Sequence, residues 1–180
     1  LATEEEKSEG VSIMLTVDVS LSMLIEDFFI GGQPVNRLTA AKRVMTDFIQ
    51  GRKADRIGIV AFAGETYLPC PLTLDRDWLI NNLDRVQTQR VGDGTAIGSG
   101  LASAANRLNK EKTKSKVIVL LTDGANNSGR LSPQDAARLG ATLGIKIYTI
   151  AIGTPGIHVI PDPRRGTFTP VGQQLFDEKT

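Results

Sequence analysis

Four stretches of almost unbroken apolar chain constrain this sequence more than anything else in it. They are residues 11–17 (VSIMLTV), 56–63 (RIGIVAFA), 116–122 (KVIVLLT) and 145–152 (IKIYTIAI). The first three are continuous runs without regular polar–apolar alternation, so strands built from them need cover on both faces. Helical patterns fill the gaps. Leu38, Ala41, Val44, Met45, Phe48 and Ile49 repeat at helical spacing before a stop at Gly51. Residues 75–86 predict a shorter helix with Trp78, Leu79, Leu83 and Val86 inward. A small-residue helix follows GDGTAIGSG (92–100) and ends near Asn109; another opens at Ser132-Pro133 and closes at Gly144. Covered strands alternating with such helices predict a doubly wound α/β domain: a mostly parallel sheet with helices on both faces.

That domain spans residues 11–153. Residues 1–10 (LATEEEKSEG) read as a charged leader, and 154–180 as a proline-rich tail without a clear period. Two prolines confine 66–72 to a sheet edge. Residues 25–36 read as a polar-aromatic loop broken by Gly31-Gly32 and Pro34. With 21 basic and 20 acidic residues the net charge is +1, so no global field favours nucleic acid or an anionic membrane. The single cysteine, Cys70, excludes an internal disulfide and a Cys-based zinc site; a small buried hydrophobe is its expected role. No run of about 18 apolar residues occurs, and no signal peptide pattern either. The opening Leu1-Ala2-Thr3 reads as the start of a segment from a longer protein.

Ligands of a doubly wound sheet collect at the carboxyl ends of its strands. Asp18, Ser20 and Ser22 follow the first strand, Asp123 follows the 116–122 strand, and Thr95 precedes the small-residue helix. Two carboxylates and three hydroxyls at one edge make an all-oxygen set. It suits a hard cation, Mg²⁺ or Mn²⁺, rather than zinc or copper. In an extended loop, Asp-x-Ser-x-Ser projects its polar side chains one way. A shell only partly filled by the protein leaves a place for a partner's carboxylate.

DVSLS at 18–22, GTAIG at 94–98 and TDG at 122–124, in that order, resemble the metal-ion-dependent adhesion site of von Willebrand factor A (VWA) domains. NRLTAAK (36–42), DRIGIVAFAG (55–64), GDGTAIGSGLA (92–102) and SKVIVLLTDGANNSG (115–129) are similar to the BatA/BatB type, membrane-anchored bacterial proteins of aerotolerance operons. The resemblance implies a Rossmann-like VWA fold and a non-enzymatic interaction module. It also implies a metal held by Asp18, Ser20, Ser22, Thr95 and Asp123, with Ser20 and Ser22 direct ligands. Asp93 and Asn126 are candidates to stand behind them. Further implied are placement at the bacterial inner membrane with the domain periplasmic, through anchoring segments outside these 180 residues. The implied partners are other VWA proteins of the operon and a MoxR-type ATPase system. Leu21 stands where the family usually has Gly. The chain ends at 177–180 (DEKT) where members continue, so an A domain cut short, with one sheet edge less covered, is expected.

Other readings compete. The glycines of 92–100 lack the G-x-G-x-x-G spacing, and no G-K-[ST] occurs, which disfavours a phosphate cradle; turn formation and close helix packing explain them. A phosphoryl-transfer enzyme of the haloacid-dehalogenase type would need an acid two residues after Asp18, where Ser20 stands. His158, the one histidine, lies in the tail and reads as a solvated loop residue. A structural metal clamp with no partner carboxylate fits the same ligands as the adhesion reading.

Overall fold

In the computed structural model, residues 10–124, 126–154, 157–162 and 167–172 are described, the last two ranges by their backbone. The central strand is β1 (Ser12–Asp18), buried along its whole length. A 3-10 turn (Leu21–Leu24) and a small hairpin, β2 (Phe28–Ile30) and β3 (Gln33–Val35), lead to helix α1 (Arg37–Gly51). Then come β4 (Arg56–Phe62), β5 (Thr66–Thr73), α2 (Arg76–Asp84), α3 (Ile97–Asn109), β6 (Lys116–Thr122), α4 (Pro133–Thr142) and β7 (Ile145–Ala151). A second hairpin, β8 (Ile157–Asp162) with β9 (Thr167–Gly172), forms its own two-stranded sheet.

The main sheet runs β5-β4-β1-β6-β7. β1 lies parallel to β4 and β6, and β6 parallel to β7; β5 alone runs antiparallel, on the edge. Its prolines, Pro69 and Pro71, accompany register shifts against β4, as edge strands tolerate. The strand period of two divides the core. Ile13, Leu15 and Val17 face α1 and α2 through Met45, Ile49, Leu79 and Leu83. Met14, with Val60, Phe62, Ile118 and Leu120, faces α3 through Leu101, Ala104 and Leu108. Each fully buried Leu or Ile contributes about 1.5–3 kcal/mol. Cys70 is buried in this core, and burial, then the charge of Asp75, pushes its thiol up to about 11.

Local chemistry sets the helix starts. Asn36, Asp75 and Ser132 each accept a hydrogen bond from a first-turn amide, and Pro133 takes the first helical position. Two sequence expectations are corrected. The 25–36 loop contains the β2–β3 hairpin, too short for a period to register. Trp78 is exposed, because Leu79 and Leu83 already cover the core side of α2. Within the proline-rich tail, which showed no clear period, β8 and β9 pair. The expected leader lies outside the described residues except for Gly10, and the side chain of His158 is not among those described. Edge strand β7 exposes Tyr148 and Ile150.

Candidate metal centre

Strand order reverses at β1: the chain leaves it for β4 on one side and reaches β6 on the other. This switch point is where an open sheet forms a crevice. Because β1 and β6 run parallel in register, Asp18 and Thr122 emerge side by side, and Thr122 Oγ1 donates to Asp18 Oδ2 at 2.7 Å. Asp18 Oδ1 accepts from the Ser20 amide at 2.9 Å, an i to i+2 turn that bends the loop after one extended residue. The loop therefore does not stay extended through Ser22 as its alternate spacing suggests. The 3-10 turn nonetheless brings Ser20 Oγ within 3.0 Å of Ser22 Oγ.

The hydroxyl protons have a definite order. Ser22 Oγ donates its one proton to Asp123 Oδ1 at 2.8 Å. Ser20 must then be the donor in the Ser20–Ser22 contact. The Ser20 proton goes to Ser22 and the Ser22 proton to Asp123, and each serine oxygen keeps a lone pair that can serve a cation. Asp18, Ser20, Ser22 and Asp123 thus form one connected set.

Thr95 is buried on the same sheet edge but is joined differently. Its amide donates to Asn127 Oδ1 at 2.7 Å, its carbonyl accepts from the Asn127 and Ser128 amides, and the next amide, of Ala96, donates to Ala63 just past β4. The turn before it needs Gly94, whose φ is +97° and whose added Cβ would lie 2.8 Å from Ser128 Oγ. Asn126 Oδ1 accepts from the Ile97 amide at 2.9 Å, so the loop after β6 caps α3, whose own N-cap, Ala96, has no capping side chain. Asp93 is exposed on the loop before Thr95.

Sequence reasoning missed Arg37 and Asp27. Arg37 is fully buried at the start of α1; its Nε reaches both oxygens of Asp27 at 3.1 Å, and its Nη2 reaches Asp27 Oδ2 at 2.7 Å. Its Nη1 donates to Asp123 Oδ2 at 2.9 Å. Asp27 Oδ2 also accepts from the amide and hydroxyl of Thr154, beyond β7. One signal was available: Arg37 falls on the same stripe, at intervals of four, as buried Ala41, Met45 and Ile49.

The electrostatics favour a cation. Burial, and then the charge of Asp123, push the Asp18 carboxyl up to about 6 against the hydrogen bonds of Ser20 and Thr122. Asp27 moves the other way: burial would raise it, but Arg37 and then Thr154 outweigh that and hold it at about 2. Among the described residues no group of three or more His, Cys, Asp or Glu is arranged around a metal position, so any ion here depends on hydroxyl oxygens as well as carboxylates. Hydroxyl oxygens that keep a lone pair, beside two buried carboxylates, fit Mg²⁺ or Mn²⁺.

The profile of the von Willebrand factor type A domain matches residues 13–126, well over half of the chain. The chain belongs to that family. This A domain is 35% identical over 147 residues to an uncharacterised protein of Borreliella burgdorferi, covering 82% of this chain and 42% of that protein. Thus it spans less than half the length of that relative. Among solved structures it is similar to an aerotolerance-related membrane protein of Bacteroides fragilis, with 28% identity, a TM-score of 0.79, and 92% of this chain and 83% of that one covered. It is also similar to BatB of Bacteroides thetaiotaomicron, with 27% identity, a TM-score of 0.79, and 89% and 75% covered. The expected mostly parallel sheet and the BatA/BatB likeness both hold. No described helix is long and apolar enough to cross a membrane.

Proposed function

We propose that this A domain is a divalent-cation-dependent protein interaction module and not an enzyme. Mg²⁺ or Mn²⁺ is held by Asp18, Ser20, Ser22, Thr95 and Asp123, and a carboxylate from a partner protein completes the shell. The observation that carries this reading is the linked set of Asp18, Ser20, Ser22 and Asp123, which gathers two carboxylates and two hydroxyls at the switch point of the sheet. When bound, the ion supplies a positive centre for an acidic side chain. Asp18 is a poor nucleophile for phosphoryl transfer, being buried with a hydrogen bond on each oxygen. The likeness to an aerotolerance-related membrane protein and to BatB supports a membrane-anchored bacterial parent, with the domain on the periplasmic side. Other A-domain proteins and a MoxR-type ATPase system are its proposed partners.

The test is calorimetric titration of Mg²⁺ and Mn²⁺ into chelator-treated protein, beside Asp18→Ala. Saturable binding lost in the variant is expected, with binding strengthened by an added acidic peptide. Metal binding indifferent to that peptide would instead mark a structural clamp. No binding, with or without the peptide, would end the metal reading.

A further inference from the structure

The site has a feature that a simple oxygen cage lacks: a permanent positive charge seated on one of its two carboxylates. The Arg37 side chain is 1% exposed and Asp123's is 0% exposed. The guanidinium engages Asp123 Oδ2, while Ser22 engages Oδ1, so both oxygens of Asp123 are held. Arg37 cannot shed its proton to relieve the charge. Nor is it free to swing away, because its two-pronged pairing with Asp27 and its own backbone bond to the Ile25 carbonyl fix it.

Like charges a few ångströms apart inside a protein repel strongly. A divalent ion entering this cluster meets Arg37 across Asp123, and Asp123's negative charge is shared between the two cations. The ion is held less tightly than two unshared carboxylates would hold it. It is also less neutralised by the protein, and so attracts an external carboxylate more strongly. We infer that Arg37 is the specificity-determining residue of this centre, a resident cation that weakens the domain's hold on the metal and strengthens the metal's hold on a partner's carboxylate. The inference rests on the metal-dependent reading above.

Removing Arg37 alone would strand Asp27, so the test exchanges the ion pair for amides, Arg37→Gln with Asp27→Asn, which keeps hydrogen-bond donors in place. Mn²⁺ affinity is measured by calorimetry on chelator-treated protein. The affinity of the Mn²⁺-loaded protein for acetate is then measured from the loss of water-proton relaxation enhancement. The exchanged pair is expected to bind Mn²⁺ about tenfold more tightly and acetate at least about threefold more weakly. Arg37→Lys, which keeps the charge, is expected to show neither change. A purely structural Arg37 would not move the two affinities in opposite directions.

Should the double variant not fold, Asp27→Asn alone leaves Arg37 its charge but removes one of its two carboxylate partners. It is then expected to weaken Mn²⁺ binding severalfold, and unchanged binding would overturn the proposal. Wild-type binding with unaltered affinities in the exchanged pair would sink this inference and leave the metal reading intact. If only the exchanged pair binds Mn²⁺, Arg37 masks the site and the inference stands. If neither binds, both fall.

Discussion

Thr122 Oγ1 donates to Asp18 Oδ2 at 2.7 Å across 104 residues of sequence, joining the ends of two adjacent parallel strands. The bond fixes one oxygen of Asp18 while the Ser20 amide fixes the other, so the carboxylate is oriented before any ion arrives. Thr122→Val keeps the shape and removes the donor. The expected cost is about 1–3 kcal/mol of stability at neutral pH, since a buried charged acceptor loses its partner. Mg²⁺ affinity should fall with it. Denaturant unfolding and calorimetry on the same variant check both, and an unchanged Mg²⁺ affinity would contradict the orienting role.

Asp18 also sets a pH dependence. Its folded carboxyl sits at about 6, raised from 3.8 by burial and by Asp123. A raised acid binds its proton more readily when folded, so its stabilising contribution is complete below about 3.8 and is lost as pH rises through about 6. Metal-free protein should therefore gain from Asp18→Asn, by nothing near pH 4 and by on the order of 2–3 kcal/mol above pH 6. Saturating Mg²⁺ should reverse the comparison at pH 7, because only the carboxylate attracts the ion. Thermal melts across pH 4 to 7.5, with and without Mg²⁺, read this directly; a gain independent of pH would mean that Asp18 is not strained by its charge.

Much of this arrangement was legible in the chain. Continuous apolar runs fixed the sheet's interior, and the placement of Asp18 and Asp123 after two such runs located the edge where they meet. Caps at Asn36, Asp75 and Ser132 follow local rules and were readable for the same reason, although only Ser132 was singled out. Arg37 was legible only through its place on the buried stripe of α1, because a charge beside a helix start ordinarily faces water. Its burial is decided by Asp27 and Asp123, partners 10 and 86 residues away. The β2–β3 hairpin escaped because three-residue strands carry no period. Asn126 was a candidate to stand behind the metal ligands, whereas its side chain caps the start of α3 and that of Asn127 holds the Thr95 amide, tertiary contacts that spacing does not encode.

Close helix packing behind the site gives another test. A Cβ on Gly100 would lie 2.8 Å from the ring of Phe62, which is fully buried at the end of β4. Phe62 pairs with Asp18 in the sheet, and its carbonyl accepts from the Val19 amide at 2.8 Å. Gly100→Ala gains up to about 1 kcal/mol in helix propensity but overpacks the core, at a cost of about 1–3 kcal/mol. The net expectation is destabilisation and a weaker Mg²⁺ response, as the strain passes through Phe62 to the Asp18 loop. Gly51→Ala, whose Cβ would meet nothing within 4 Å, is the control and should be neutral or slightly stabilising. Equal melting shifts for the two variants would refute the packing account.

Asp27 ties three parts of the chain together: the foot of the β2–β3 hairpin, Arg37 at the head of α1, and Thr154 beyond β7. Because its folded carboxyl is held at about 2, its contribution is present at neutral pH and is lost as pH falls through about 2. Asp27→Asn leaves a buried guanidinium with one carboxylate instead of two, and breaking such a pair costs about 3–5 kcal/mol. Thr154→Val removes only the hydroxyl bond and should cost about 1 kcal/mol, with the amide bond to Asp27 kept. Hydrogen exchange at the Thr154 amide separates the two: fast in Asp27→Asn, near wild type in Thr154→Val. If both variants lose the same stability and leave that amide equally protected, Asp27 does not anchor the end of β7, and Arg37 is held in place by Asp123 alone.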